Sequence, residues 1–431
     1  MVRAELKISI LGSGREVGRA AIAVEYMGRV SLLDYGVNFD ENDNPVMPLH
    51  IQPSKIDAIV LTHAHLDHIG GAPLLYASLR PRAYATRLTR EAARLMLEDF
   101  LKLSGYYLDF EITEVNNLLA SIEDVKPGTQ VSVGDFDLEF LSAGHIPGSL
   151  SVKVNTPEGS VLYTGDVNNI DSKLVKGADF TGVHADVLII ESTYGNADHP
   201  PRESVEKRFI DSVKEVLDQN GTVLVPAFSM GRGQEIISIL IENDIYPVYV
   251  DGMIRQATDI MIENRGFLRN PELLERARDE YRFVRGWQDR RRAWKNPGVI
   301  VASAGMLKGG PSRYYLRKIH DNPKNAVFLV SYQGENTPGR MILEKGCFDE
   351  GGPQVKARVE WFDFSSHAGA SGLLEIVRSI RELKTVIIVH GEPKAQEALA
   401  KRIEDEIGIK PVIPENGDTI ELGNLRTRQN T

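Results

Sequence analysis

Leu61-Thr-His-Ala-His-Leu-Asp-His-Ile-Gly-Gly71 packs three histidines and one aspartate into six consecutive positions of a chain with only ten histidines in 431 residues. All four are metal ligands by type. His63 and His65 stand two apart at the end of the apolar run Ile56-Asp-Ala-Ile-Val-Leu61, so an extended backbone points both imidazoles to one side and suits one ion. Asp67 and His68 are neighbours where the chain turns toward a helix near Ile69, and adjacent helical side chains diverge by about 100°, which suits a second ion. Any one of the four reads equally well as a polar loop residue; the clustering is what argues for metal.

The length predicts two or three domains, each able to bury a core. Hydrophobic and charged fractions of 42% and 26% are those of a globular protein. No apolar run approaches the roughly 20 residues that cross a bilayer, and Met1-Val-Arg-Ala-Glu-Leu-Lys has no signal-peptide core, so a cytoplasmic location is expected. The single cysteine, Cys347, excludes an intramolecular disulfide and a cysteine-based zinc cluster. A net charge of -10 argues weakly against a polyanionic partner, although a local basic surface can override the global sign.

Leu6-Lys-Ile-Ser-Ile-Leu11 reads as a strand and runs into Gly12-Ser-Gly-Arg-Glu-Val-Gly18. This is a poor dinucleotide loop, because β-prone runs over Ala20–Tyr26 and Val30–Gly36 follow it in place of a helix. Helical periodicity covers Thr89–Leu103 and Ile112–Ile122, and four short strands fall between Thr129 and Tyr163. Two of those strands end near candidate ligands, His145 and Asp166. From Pro201 to Met253, strands alternate with helices, which predicts a parallel sheet flanked by helices.

The complete set His63, His65, Asp67 and His68 resembles the His-x-His-x-Asp-His signature of the metallo-β-lactamase superfamily. That resemblance implies an α/β chain with a four-layer αββα sandwich and a dinuclear hydrolytic site. By the same resemblance, Asp34 is a buried carboxylate that orients the metal loop, His145 completes a first zinc site with His63 and His65, and Asp166 bridges two zinc ions. Glu191 after Asp186-Val-Leu-Ile-Ile, His367 in Trp361-Phe-Asp-Phe-Ser-Ser-His-Ala-Gly and His390 after Thr385-Val-Ile-Ile-Val resemble motifs A, B and C of the β-CASP group. Its nucleic-acid-processing members include the cleavage and polyadenylation endonuclease and RNase J. The implied domains are 1–193 (metallo-β-lactamase, first part), 194–364 (inserted β-CASP domain) and 365–431 (metallo-β-lactamase, C-terminal part). The chain departs from many relatives at Ala368-Gly369, where they carry an acidic residue two positions beyond the histidine.

The implied function is a ribonuclease holding two Zn2+ per chain and leaving 5′-phosphate and 3′-hydroxyl ends, in RNA processing or decay. Asp67, His68 and His390 take the second ion, His367 is the general acid, Glu191 orients it, and Asp67 is counted with the catalytic groups. A histidine at motif C points to RNA over DNA, with single-stranded RNA as partner in a cleft between the domains. Endonucleolytic and 5′-3′ exonucleolytic action use the same residues and stay open. A lactamase-like small-molecule hydrolase would not need the insert, and a non-catalytic scaffold would have lost ligands, which this chain keeps. The chain resembles the short, core-only form among archaeal and bacterial relatives of the cleavage and polyadenylation nuclease.

Within the insert, Pro226-Ala-Phe-Ser-Met-Gly-Arg-Gly-Gln, Ala302-Ser-Ala-Gly-Met-Leu-Lys-Gly-Gly and Ser331-Tyr-Gln-Gly-Glu-Asn resemble family signatures. They make Ser229, Ser303 and Ser366 the candidate phosphate donors. Arg282–Lys295 carries six basic residues against Asp289, a local charge of +5. Trp287 and Trp294 interrupt it as candidate stacking faces, and a solvated helix face is the plainer alternative. His50, His184, His199 and His320 fit no ligand motif. A final strand, Asp418-Thr-Ile-Glu-Leu422, could pair with a second copy, so a homodimer or a complex with other RNA-processing proteins stays open.

Overall fold

The structure, a computed structural model, describes residues 5–422. The start of the chain, read above for a signal core, and the last nine residues lie outside the described residues. The chain divides into two units: one contains the residues up to Asp171, Lys176–Asp198 and everything from His367, and the other contains Ser172–Val175 and His199–Ser366. Residues 194–198 therefore group with the first unit and 365–366 with the second, a few positions from the boundaries read in the sequence. Backbone bonds explain the shift, since Ala370 N donates to Ala197 O and Ser371 N to Asp198 Oδ1. Residues 172–175 join the second unit because Lys173 N and Leu174 N donate to the Glu235 carboxylate.

In the first unit, a seven-stranded sheet runs in the order Thr419–Glu421, Lys7–Gly12, Ala21–Tyr26, Arg29–Leu33, Ile56–Val60, Arg82–Thr86, Ile122–Val125. A six-stranded sheet runs Thr385–Ile388, Val187–Ile190, Gly159–Tyr163, Leu150–Thr156, Phe136–Ser142, Gln130–Val133. Ile8, Ile10, Val24 and Val60 from the first meet Leu138, Phe140, Val152 and Ile189 from the second in one core. Lys7–Gly12 alternates half-buried and buried positions, the period-2 pattern of a strand with one face in the core. Val187–Ile190 is buried throughout, since the helices Ala370–Ser379 and Pro393–Ile407 cover its outer face. The helix Arg87–Ser104 packs on the outer side of Arg82–Thr86 and Ile122–Val125. The αββα layering is thus present. The final strand, Thr419–Glu421, is used within the chain: it pairs antiparallel with Lys7–Gly12 in the register Ile8↔Ile420.

The second unit is a six-stranded sheet in the order Arg282–Phe283, Val248–Asp251, Gly298–Ala302, Thr222–Pro226, Ala326–Leu329, Arg358–Trp361, every pair parallel. Parallel strands need crossover helices, and these bury both sheet faces, so Thr222–Pro226 and Gly298–Ala302 are buried at every position. The run Arg282–Lys295 is not one element but a two-residue strand and the helix Trp287–Lys295.

The stretch after Arg29–Leu33 ties the sheet to the histidine-rich loop. Tyr35 N donates to His68 O, Val37 N to Leu66 O, and Ala20 N to Asp67 O. Gly36 lies so close beneath this loop that a Cβ there would sit 1.7 Å from Asp67 O. That neighbour is backbone and cannot swing away. Gly36→Ala should cost about 2–3 kcal/mol of stability, a value in the range of overpacked cores, and lower zinc content with it. A urea midpoint and metal content equal to wild type would show that the loop yields freely.

Candidate metal centre

Asp34 anchors the site from below. It is fully buried, and its carboxylate accepts from Thr62 N (2.8 Å), Thr62 Oγ1 (2.8 Å) and Tyr163 OH (3.1 Å), with His68 Nδ1 at 2.7 Å. With Nδ1 committed to this carboxylate, His68 presents Nε2 to the site. Thr62 and Tyr163 were missed by sequence reasoning. Thr62 lies inside the defining stretch and Tyr163 three positions before Asp166, yet nothing in residue type marks either one as a partner of Asp34.

Four strand ends deliver the remaining groups. His63 and His65 follow Ile56–Val60, His145 follows Phe136–Ser142, Asp166 follows Gly159–Tyr163, and His390 follows Thr385–Ile388. His63 Nε2 lies 3.1 Å from His65 Nδ1, and His145 Nε2 lies 3.3 Å from that same atom. Asp166 Oδ2 faces this trio, 3.5 Å from His63 Nε2 and 3.7 Å from His145 Nε2. Its other oxygen, Oδ1, is 3.2 Å from His68 Nε2 and 3.4 Å from His390 Nδ1. Asp67 Oδ2 approaches His390 Nε2 at 3.4 Å. Two ligand sets result, His63–His65–His145–Asp166 and Asp67–His68–Asp166–His390, and in each the ligand atoms lie within 4.8 Å of one another. Every residue read from the sequence as a metal ligand falls in one of them.

Three of these atoms show that the residues present suit a cation. His68 Nε2, His390 Nε2 and Asp166 Oδ1 are buried and make no hydrogen bond. Leaving such atoms unsatisfied costs about 1–3 kcal/mol each, and a divalent ion would satisfy them together. The charges point the same way. Burial pushes the Asp166 carboxyl up, but the rings of His68 and His390 outweigh it and hold the group well below the usual carboxylate range. Burial pushes the ring of His63 well below its usual value, and neighbouring His68 and His65 push it further down, which favours the neutral, ligating form.

A third grouping joins Asp166 to Glu191 and His367. Val167 N and Thr193 N donate to the Glu191 carboxylate, at 2.9 and 3.1 Å, and fix it 2.8 Å from His367 Nδ1. His367 Nε2 then lies 3.9 Å from Asp166 Oδ2, and its ring rests 4.6 Å from that of His145. Burial lowers the pKa of His367, but the carboxylates of Glu191 and Asp166 prevail and raise it to about 9.

Ser229, Ser303 and Ser366 belong to the second unit. Ser229 and Ser303 follow the adjacent parallel strands Thr222–Pro226 and Gly298–Ala302, where connections leave in opposite directions along the sheet, a place where such sheets bind ligands. The Ser366 hydroxyl accepts from Arg232 Nη2 at 3.0 Å. His199 Nδ1 pairs with Asp363 at 2.8 Å and His184 with Glu382 at 3.6 Å. The ring of His320 packs on Phe348.

Residues 17–227 match the family model described as "Metallo-beta-lactamase superfamily", 234–342 match "Beta-Casp domain", and 352–414 match "Zn-dependent metallo-hydrolase RNA specificity domain". Across 418 residues, 96% of this chain and 85% of the relative, the sequence is 50% identical to "RNase aCSPSF2" of Saccharolobus solfataricus. The chain belongs to the β-CASP group of the metallo-β-lactamase superfamily. This β-CASP protein is also 35% identical over 439 residues to "Probable RNase MJ4" of Methanocaldococcus jannaschii, covering 97% of the chain and 100% of the relative. Among solved structures, "Crystal Structure of a Protein of Unknown Function from Enterococcus faecalis V583" shares the fold, with a TM-score of 0.62 at 14% identity over 97% of this chain and 100% of that one. No helix among the described residues is long and apolar enough to cross a membrane.

Removing the support under the β-CASP protein's histidine loop should weaken its hold on metal. Asp34→Ala is expected to lower zinc affinity by about 10–100-fold, the usual cost of losing a carboxylate behind a ligating histidine. Competition with a calibrated chelator measures this, and unchanged affinity would remove Asp34 from the site. His390→Ala should leave one tightly bound ion per chain by elemental analysis where wild type holds two.

Proposed function

We propose that this protein is a zinc-dependent ribonuclease that hydrolyses RNA phosphodiester bonds to 5′-phosphate and 3′-hydroxyl ends, in RNA processing or decay. The observation that carries the reading is the placement of Asp166, one oxygen toward each ligand set, with the Glu191–His367 pair beside it. The ribonuclease names of two relatives and the RNA specificity region matched over 352–414 support RNA as the substrate.

His63, His65, His145 and Asp166 would hold one zinc, and Asp67, His68, Asp166 and His390 the other. The metal pair supplies hydroxide in neutral solution, since zinc lowers the pKa of water toward about 7, and offsets charge developing on phosphate oxygens. The chain's own residues supply the remaining steps. Asp34 fixes the tautomer of His68 through Nδ1. Glu191 does the same for His367, leaving Nε2 to carry the proton toward the reacting group. With His367 as general acid, that proton goes to the departing 3′-oxygen. Attack by water in place of the ribose 2′-hydroxyl leaves the phosphate on the 5′ end.

His367→Ala should lower kcat by about 10²–10⁴-fold, the usual share of a positioned acid, while two zinc ions stay bound. Wild-type turnover with both metals present would remove the assignment. One RNA offered as a linear 5′-monophosphate, a linear 5′-triphosphate and a circle separates the two modes. Cutting of the circle requires endonuclease action, and strict dependence on the monophosphate indicates a 5′-3′ exonuclease.

A further inference from the structure

Between Arg282 and Lys318 the chain carries ten Lys and Arg residues against a single acid, Asp289. This is a local charge of +9 in a chain whose total is -10, so everything else sums to -19. The segment lies inside the region 234–342 matched by the Beta-Casp model and outside the RNA specificity region at 352–414.

Folding sorts these cations into two groups. Arg290 grips the buried carboxylate of Asp251 with two bonds of 2.7 Å, Arg282 reaches Tyr249 OH, and Arg313 pairs with Asp349. Those serve the fold. Arg285, Arg291, Arg292, Lys295, Arg317 and Lys318 are exposed, and none forms an ion pair with a described carboxylate. On the helix Trp287–Lys295, the residues Trp287, Arg291 and Lys295 stand four apart and line one stripe. Ala293 and Trp294 face the core cluster, which withdraws Trp294 as a stacking surface. Trp287 stays 64% exposed and meets the neighbouring helix Gly310–Ile319 edge-on, 5.7 Å from the ring of Tyr314.

A solvated helix face explains this poorly. Elsewhere the chain's exposed helices balance their arginines at i,i+4, as in Arg87–Glu91, Arg276–Glu280 and Arg402–Glu406. Residues in last turns, Arg292, Lys295, Arg317 and Lys318, offset helix dipoles, but that does not account for Arg285, Arg291 or the near absence of acids. Unpaired cations beside one exposed indole are what a phosphodiester chain with unpaired bases would engage.

We propose that the face formed by the helices Trp287–Lys295 and Gly310–Ile319 is a docking surface for single-stranded RNA, with phosphates on Arg291, Arg292 and Lys295 and a base against Trp287. The proposal rests on the ribonuclease reading for the identity of its ligand. The test is fluorescence anisotropy with a labelled oligouridylate across a salt series, using the full-length protein with zinc bound and His367→Ala as background, so that RNA is not consumed. Replacing Arg291, Arg292 and Lys295 by Gln should reduce the slope of log K against log salt by about 2, near 0.7 per lost phosphate contact. Trp287→Ala should weaken binding by about tenfold with the slope unchanged. Equal slopes and affinities in background and variants would overturn the proposal. So would a loss of heparin binding with RNA binding intact, which would assign the face to another polyanion. Hydrolysis of RNA by the wild-type chain is scored separately, so a protein that binds through this face yet cuts no RNA refutes the ribonuclease reading alone.

Discussion

A carboxylate with almost no access to solvent, set among imidazoles, is the constraint that everything around it serves. Burying Asp166 strips it of water at a cost of several kcal/mol unless opposite charge replaces the hydration. Four strand ends meet to provide that replacement, and no shorter piece of chain could do so. Each of its oxygens looks toward a different set of nitrogens, so the divided geometry of the site originates in one side chain. The surrounding network keeps those nitrogens aimed: Asp34 holds His68, and Glu191 holds His367.

Holding the network in place strains the backbone at two points. Asp34 and His390 both sit in the left-handed region, with φ of 58° and 50°, where non-glycine residues are uncommon. Each ends a strand and must turn its side chain back into the site. The chain supplies backbone bonds to keep them there: Asp34 N donates to Val60 O and His390 N to Ser13 O. The glycine-rich loop Gly12–Gly18, which looks at first like a nucleotide cradle, is thereby part of the scaffold behind His390. Gly391 N donates to Glu16 O in the same loop.

The second unit separates its charges by a different logic. Its parallel sheet buries both faces, so every polar group near the strand ends needs a partner. Asp251 is served by Arg290 and by Tyr315 OH at 2.7 Å. Once such needs are met, a surplus of cations is left on two neighbouring helices. Repulsion among them is tolerable in water, where screening at physiological salt acts over about 8 Å.

Much was legible from residue order alone. Spacing within Leu61–Gly71 identified ligand-type side chains, apolar periodicity located the long helices, and alternating strands and helices from Pro201 onward foretold the parallel sheet. Resemblance to a family supplied His145, Asp166 and His390, which periodicity could not have linked to the loop, because contacts across hundreds of positions leave no local pattern. Only the folded chain decided that Trp294 faces inward while Trp287 faces water, since a turn of 3.6 residues places them on different sides of one helix. Only the folded chain gave Asp34 its partners Thr62 and Tyr163, and the final strand its place beside Lys7–Gly12. Sequence determined which groups could bind metal and which segments could be strands or helices. Tertiary structure decided which atoms of those groups face one another, because hydrogen-bond direction and burial are properties of residues brought together from distant parts of the chain.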